Sequence, residues 1–137
     1  MLKPKVLFLC TGNSCRSQMA EGLLRHLAGD RFDVVSAGTE PTTVNPLAIA
    51  AMHEIGIDIA AQRSKSVREF LGEHFTYVVT VCDSANERCP IFPGVVKRLH
   101  WPLDDPATAT GSDVERMPVF RRVRDELQRY IRDFIAH

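Results

Sequence analysis

A cysteine and an arginine separated by five residues, Cys10-Thr11-Gly12-Asn13-Ser14-Cys15-Arg16, followed at once by Ser17, form the strongest chemical signal in this 137-residue chain. A short loop feeding a helix can aim consecutive backbone N–H groups at a tetrahedral oxyanion, aided by the positive end of the helix dipole. Gly12 and Asn13 tolerate the left-handed backbone such a cradle needs. Arg16 can grip two oxygens with its planar fork. Thr11, Gly12, Asn13, Ser14, Cys15 and Arg16 are therefore the substrate-binding candidates, with Cys10 as the nucleophile. The same donors should stabilise a thiolate and hold the Cys10 pKa below about 8.5, with Ser17 donating a further hydrogen bond. A cysteine at a strand end is also a common packing residue. The strand before Cys10 and the helix after it favour the nucleophile; the Cys15 side chain reads as packing.

Two other features carry chemistry. Trp101-Pro102-Leu103-Asp104-Asp105-Pro106 sets two carboxylates in a loop, and displacing oxygen from an oxyanion is easier when an acid protonates the leaving group. An Asp-Pro pair by itself is more often a turn. Four cysteines, at 10, 15, 82 and 89, permit a secreted disulfide framework, cysteine chemistry or metal binding. Without a signal peptide, and in a chain with a full-sized core, the last two are favoured. Zinc sites usually pair cysteines two to four residues apart, which suits neither Cys10/Cys15 nor Cys82/Cys89. His26, His53, His74, His100 and the terminal His137 have no ligand-like spacing and read as surface or packing residues, so no metal is expected.

These residues need a scaffold, and the pattern alternates strand with helix. Lys5–Cys10 is a short apolar run ending in the loop, hence a buried parallel strand. Ser17–Ala28 carries Met19, Ala20, Leu23, Leu24 and Leu27 on one helical face, and Gly29 stops it. Phe32–Ala37 reads as a second strand. Asn45 caps a helix with Pro46 first, running to Ile55; a shorter helix covers Ser66–Leu71. Tyr77–Val81 and Val96–Leu99 are the third and fourth strands. The segment from Cys82 to Gly94 has no assigned element. Phe120, Val123, Leu127, Ile131 and Phe134 recur at helical spacing in the tail. The expected fold is α/β: one domain over 1–137, a four-stranded parallel sheet with helices on both faces.

Seventeen basic and seventeen acidic residues cancel, so no net field draws nucleic acid or an anionic membrane, and an anion must be recognised locally. The apolar run in MLKPKVLFLC is shorter than a secretory core, and no stretch nears the roughly 20 apolar residues of a membrane span. A monomeric, cytoplasmic protein is expected.

The loop, the Asp-Pro element and the strand–helix order resemble the low-molecular-weight protein tyrosine phosphatases. The closer resemblance is to the thioredoxin-coupled arsenate reductases that share their fold. It runs through CTGNSCRSQMAEG, SAG, NPLAIAAM, IDI, YVVTVCDSANERCP, HWPLDDPA and RVRDE. It implies Cys10 as nucleophile, Arg16 as anion grip, Ser17 as thiolate partner and Asp105, directly before Pro106, as general acid. Asp104 takes no role. It further implies a relay in which Cys82 resolves Cys10 and Cys89 resolves Cys82, leaving a Cys82–Cys89 disulfide for thioredoxin. Reducing As(V) to As(III) takes two electrons, which a dithiol going to a disulfide supplies. Each pairing must bring Cα atoms within about 7 Å, so the segment between Cys82 and Cys89 must move.

A tyrosine phosphatase is the alternative. Such enzymes usually carry aromatic residues beside the Asp-Pro element, whereas Ala107 and Thr108 follow here. A four-cysteine metal or redox-sensor module is the non-enzyme alternative. Some of these reductases hold potassium near the loop through oxygen ligands matching Asn13, Glu21 and Ser36, and through positions 63 and 65. Arg63 and Lys65 depart from that pattern, since neither can ligate a cation when protonated. The Lys65 ammonium is expected to stand where the ion would and to neutralise Glu21, supporting the loop.

Overall fold

Four short strands lie in the order β2-β1-β3-β4, all parallel, in a computed structural model that describes residues 3–137. They are β1 (Lys5–Cys10), β2 (Asp33–Gly38), β3 (Tyr77–Thr80) and β4 (Lys97–His100). The run Val6–Cys10 is buried along its whole length because β1 is central, paired on both edges and covered on both faces. The helices are α1 (Arg16–Ala28), α2 (Pro46–His53), α3 (Asp83–Glu87) and α4 (Asp113–Ala136), with 3-10 turns at Val67–Phe70 and Pro106–Thr108.

The crossover through α1 leads from β1 to β2, and the one through α3 leads away in the opposite direction, from β3 to β4. Right-handed crossovers running in opposite directions put their helices on opposite faces. Helix α4 packs on α1 and α2 and buries Met117, Phe120, Val123, Leu127 and Ile131. It starts from a reciprocal capping box between Ser112 and Glu115. Among the described residues, no helix is long and apolar enough to cross a membrane.

The expected elements are present with shifted ends. Helix α1 begins at Arg16, one residue early, and β2 runs Asp33–Gly38 rather than Phe32–Ala37. The Asn45 side chain accepts from the Leu47 N–H as expected, but α2 stops at His53, and Gly56 turns the chain with φ +79°. The Ser66–Leu71 helix is a single 3-10 turn capped by Ser66. Strand β3 ends at Thr80, and β4 starts one residue late because both Val96 and Lys97 N–H groups go to the Thr76 carbonyl. The five-residue α3 fills part of the unassigned Cys82–Gly94 segment.

Chain direction reverses at β1, which sends the chain to β2 on one side and takes β3 on the other. The loops after the carboxyl ends of β1, β2, β3 and β4 meet at this switch point, where open parallel sheets bind ligands.

Candidate active site

The loop after β1 is turned inside out relative to an ordinary connection. Its carbonyls face outward into hydrogen bonds with the segment after β2: Thr39 N–H to Cys10 O (3.2 Å), Glu40 to Thr11 (2.8 Å), Thr42 to Gly12 (3.0 Å) and Asn45 to Ser14 (3.0 Å). The N–H groups of Ser14, Cys15 and Arg16 have no acceptor among the described residues, so they remain for a ligand. Gly38 makes the close approach possible: a Cβ there would stand 2.5 Å from Thr11 O and 2.9 Å from Asn13 N.

Asn13 is the hub. It is fully buried and adopts φ +48°, the one positive φ among described non-glycine residues. Its Nδ2 donates to Ser17 Oγ (2.8 Å) and Ser36 Oγ (2.9 Å), and its Oδ1 accepts from Gln18 Nε2 (2.9 Å) and Lys65 N–H (2.8 Å). Its carbonyl accepts from Ser64 Oγ (2.6 Å) and Gln18 Nε2 (3.0 Å). Because the amide donates to Ser17 Oγ, the Ser17 hydroxyl proton is free for Cys10 Sγ, 2.8 Å away. The Asn13 N–H reaches the same sulfur at 3.1 Å.

Cys10 is buried to 2% exposure, and burial pushes its thiol above the ordinary value. Ser17, the Arg16 charge and the Asn13 N–H pull downward without overcoming that cost. Cys15 is buried as expected for a packing residue, and burial lifts it to about 12.

Arg16 NH1 donates to Leu103 O (3.0 Å), which ties the loop to the segment after β4. Its NH2 stands 3.5 Å from Asp105 Oδ2. Its Nε is buried with no acceptor among the described residues, a donor that an oxyanion would satisfy. Asp105 therefore lies at the loop's rim, its other oxygen capping the Pro106 turn through Ala107 N–H (3.0 Å). Asp104 points elsewhere, to Arg122 at 3.1 Å.

All four cysteines are free thiols. Cys82 caps α3 and is buried, its Sγ 3.4 Å from Thr11 Oγ1, so a second thiol lies against the nucleophile's loop. Cys89 is half-buried beyond α3, and burial pushes its thiol up. Helix α3 lies between the two thiols, and a Cys82–Cys89 disulfide must bring their Cα atoms within about 7 Å.

Behind the loop, Glu21 Oε1 accepts from Ser36 Oγ (2.6 Å) and stands 3.5 Å from the Lys65 ammonium, while Oε2 accepts from Arg25 (2.8 Å). Lys65 Nζ also donates to Arg63 O (2.9 Å), and the Arg63 side chain turns outward to Glu69 (2.7 Å). An ammonium against Glu21 does not fit a potassium ion at this place. Among the described residues, no three His, Cys, Asp or Glu side chains converge as a metal site.

Sequence reasoning missed Gln18, Ser64 and Arg25. Gln18 was detectable as a polar residue on the buried face of α1; Ser64 and Arg25 act through contacts that no spacing rule indicates. His100, expected as a surface or packing residue, is half-buried and tied to Thr80 and Asp83. A cleft of about 1050 Å³ lies at the opposite end of the sheet among Phe32, Tyr77, Lys97 and Tyr130. It shares no residue with the loop.

The sequence pattern of the low molecular weight phosphotyrosine protein phosphatases matches residues 5–137. The arsenate reductase of Halalkalibacterium halodurans is 52% identical over 134 residues, covering 98% of this chain and 96% of that protein. The arsenate reductase of Bacillus subtilis is 47% identical over 129 residues, covering 94% and 93%. Among solved structures, an arsenate reductase in the phosphate binding state superposes with a TM-score of 0.80 at 36% identity, covering 97% of each chain. A low molecular weight protein tyrosine phosphatase from T. tengcongensis reaches a TM-score of 0.79 at 26% identity, covering 98% of this chain and 99% of that one.

Proposed function

The chain belongs to the low molecular weight phosphotyrosine protein phosphatase family, and within it we propose that it reduces arsenate to arsenite, with thioredoxin restoring its thiols. The observation that carries this reading is the second thiol: Cys82 Sγ lies 3.4 Å from Thr11 Oγ1. Hydrolysis of a phosphoester has no use for it, whereas a two-electron reduction does.

In this reading the loop N–H groups and Arg16 bind the arsenate oxygens. Cys10 Sγ bonds to arsenic as one As–O bond breaks. The thiol proton and the departing hydroxide leave together as water, with Asp105 carrying the proton to the leaving oxygen. Cys82 then attacks Cys10 Sγ. The S–As electron pair stays on arsenic, arsenite leaves, and a Cys10–Cys82 disulfide remains. Cys89 attacks Cys82, freeing Cys10 and leaving a Cys82–Cys89 disulfide for an external dithiol. This chemistry belongs in the cytoplasm, where thiols are kept reduced.

The test is turnover of arsenate with thioredoxin, thioredoxin reductase and NADPH, against glutathione and glutaredoxin. Multiple turnover is expected only with thioredoxin. Cys89→Ser should release about one arsenite per chain and stop, following the two-electron count. Normal multiple turnover by Cys89→Ser would defeat the relay, and turnover with glutaredoxin alone would defeat the proposed reductant.

A further inference from the structure

The helix between the two relay thiols is held weakly by apolar contacts and specifically by polar ones. Of the five residues of α3 only Ala85 is buried, and a helix this short has no stability of its own. Its ties run mainly to β3 and β4. His100 Nε2 lies 2.9 Å from Asp83 Oδ1, at the first turn directly after Cys82. The other ring nitrogen of His100 lies 2.8 Å from the hydroxyl of Thr80, which is fully buried. With a carboxylate at Nε2, that nitrogen carries the proton, and Nδ1 accepts from Thr80. Arg98 NH2 donates to both the backbone oxygen and the Oδ1 of Asn86, at the helix's far end. Arg88, at the C-cap, adds an exposed bridge to Glu40 at 3.0 Å.

We propose that His100 and Arg98 are positioning residues that latch the inter-cysteine helix onto the sheet, keeping Cys82 beside the Cys10 loop and withholding it from Cys89. The proposal rests on the relay described above and adds the device that orders its two steps. Both ties exist only while α3 is wound, because Asp83 and Asn86 sit at its two ends. Forming the Cys82–Cys89 bond must break them, so the latch stabilises the dithiol over the disulfide. Asp83 is 87% exposed, so a single tie is modest, about threefold in the equilibrium, and the two together roughly tenfold.

The experiment measures the thiol–disulfide equilibrium of the Cys82/Cys89 pair in full-length Cys10→Ser protein against mixtures of reduced and oxidised dithiothreitol. Cyclic dithiothreitol takes two protons and two electrons from the pair, giving the Cys82–Cys89 disulfide and the open dithiol. Neither arsenate nor thioredoxin is present, so a failure here is separate from a failure of the reductase reading. His100→Phe and Arg98→Met should each move the equilibrium about threefold toward disulfide, and together roughly tenfold. Asp83→Ala cuts the His100 tie from the helix side without touching β4, and should match His100→Phe. Asp83→Ala combined with His100→Phe should shift no further than either alone. Asp83→Asn keeps an acceptor and should stay near the parent. Equal equilibria in all variants, or additive shifts for Asp83→Ala with His100→Phe, would overturn the latch alone. A parent that forms no Cys82–Cys89 disulfide would overturn the latch and the relay together.

Discussion

Removing the Lys65 ammonium should destabilise the protein modestly and, in one variant, create a response to potassium that the wild type lacks. The ammonium and Glu21 Oε1 are 3.5 Å apart, with side-chain exposures of 11% and 6%. At an effective dielectric of about 20, that separation gives an attraction of about 5 kcal/mol before desolvation. Burial nevertheless pushes the Lys65 pKa down, with Glu21 pulling the other way, so desolvation cancels most of the attraction. What truncation costs is therefore set by Glu21. Stranding a buried charge costs about 3–5 kcal/mol, but Arg25 remains at 2.8 Å and Ser36 at 2.6 Å. The remainder is about 1–2 kcal/mol, which at this chain length lowers Tm by roughly 3–6 °C.

Lys65→Met keeps the stem and fills the space, whereas Lys65→Ala leaves room beside the Glu21 carboxylate, the Ser36 hydroxyl and the Arg63 carbonyl. Thermal unfolding and arsenate kinetics are compared in potassium and tetramethylammonium chloride at matched ionic strength. Wild type and Lys65→Met should behave identically in both salts, while Lys65→Ala should regain part of its lost Tm in potassium only. The pH dependence has a fixed sign. The folded pKa of Lys65 lies below its unfolded value, so the folded chain binds fewer protons in that window. Wild type should then gain stability relative to Lys65→Met as pH rises through the alkaline range below about 10.4. Marked stabilisation or stimulation of the wild type by potassium would refute the reasoning.

Two further outcomes follow from the loop. Because burial pushes the Cys10 thiol up, iodoacetamide alkylation of Cys10, in a Cys82→Ser, Cys89→Ser background, should rise with an inflection above that of an ordinary cysteine. Ser17→Ala should move it higher still, and an inflection below that of an ordinary cysteine would show that the Ser17, Arg16 and Asn13 donors outweigh burial. Gly38→Ala should cut kcat/KM for arsenate by about 100-fold, since its Cβ would press on Thr11 O and Asn13 N and an ångström of misplacement in a site costs that much; activity within threefold of wild type would show that the loop yields without loss.

The parts legible in the sequence are those encoded by local pattern. The Cys10–Ser17 loop is contiguous, and β1 before it and α1 after it follow from an apolar run and a helical stripe. The parts that were not legible arise where one residue type answers to a distant partner. Helix α3 has no apolar period to reveal it, because it buries only Ala85 and takes its hold from β4. His100 looked idle because its partners come from β3 and α3. The depth of Cys10 was hidden for a related reason. The donors around the sulfur can be read from neighbouring residues, but its burial depends on the closing of the whole fold above it.

The same contrast explains how one chain holds one thiol still and lets another move. Every side-chain polar atom of Asn13 has a partner, and the hub is wholly buried, so a shift of the Cys10 loop would expose several buried groups at once. Such a region opens only with the global fold. The relay segment is built oppositely, from one buried alanine and ties at the surface, and it can open locally while the loop stays formed. A substitution that buries more of α3 would therefore stabilise the protein and slow the capture of Cys82 by Cys89. Stability and turnover part company at that segment, because the second half of the relay depends on a helix that is easy to lose.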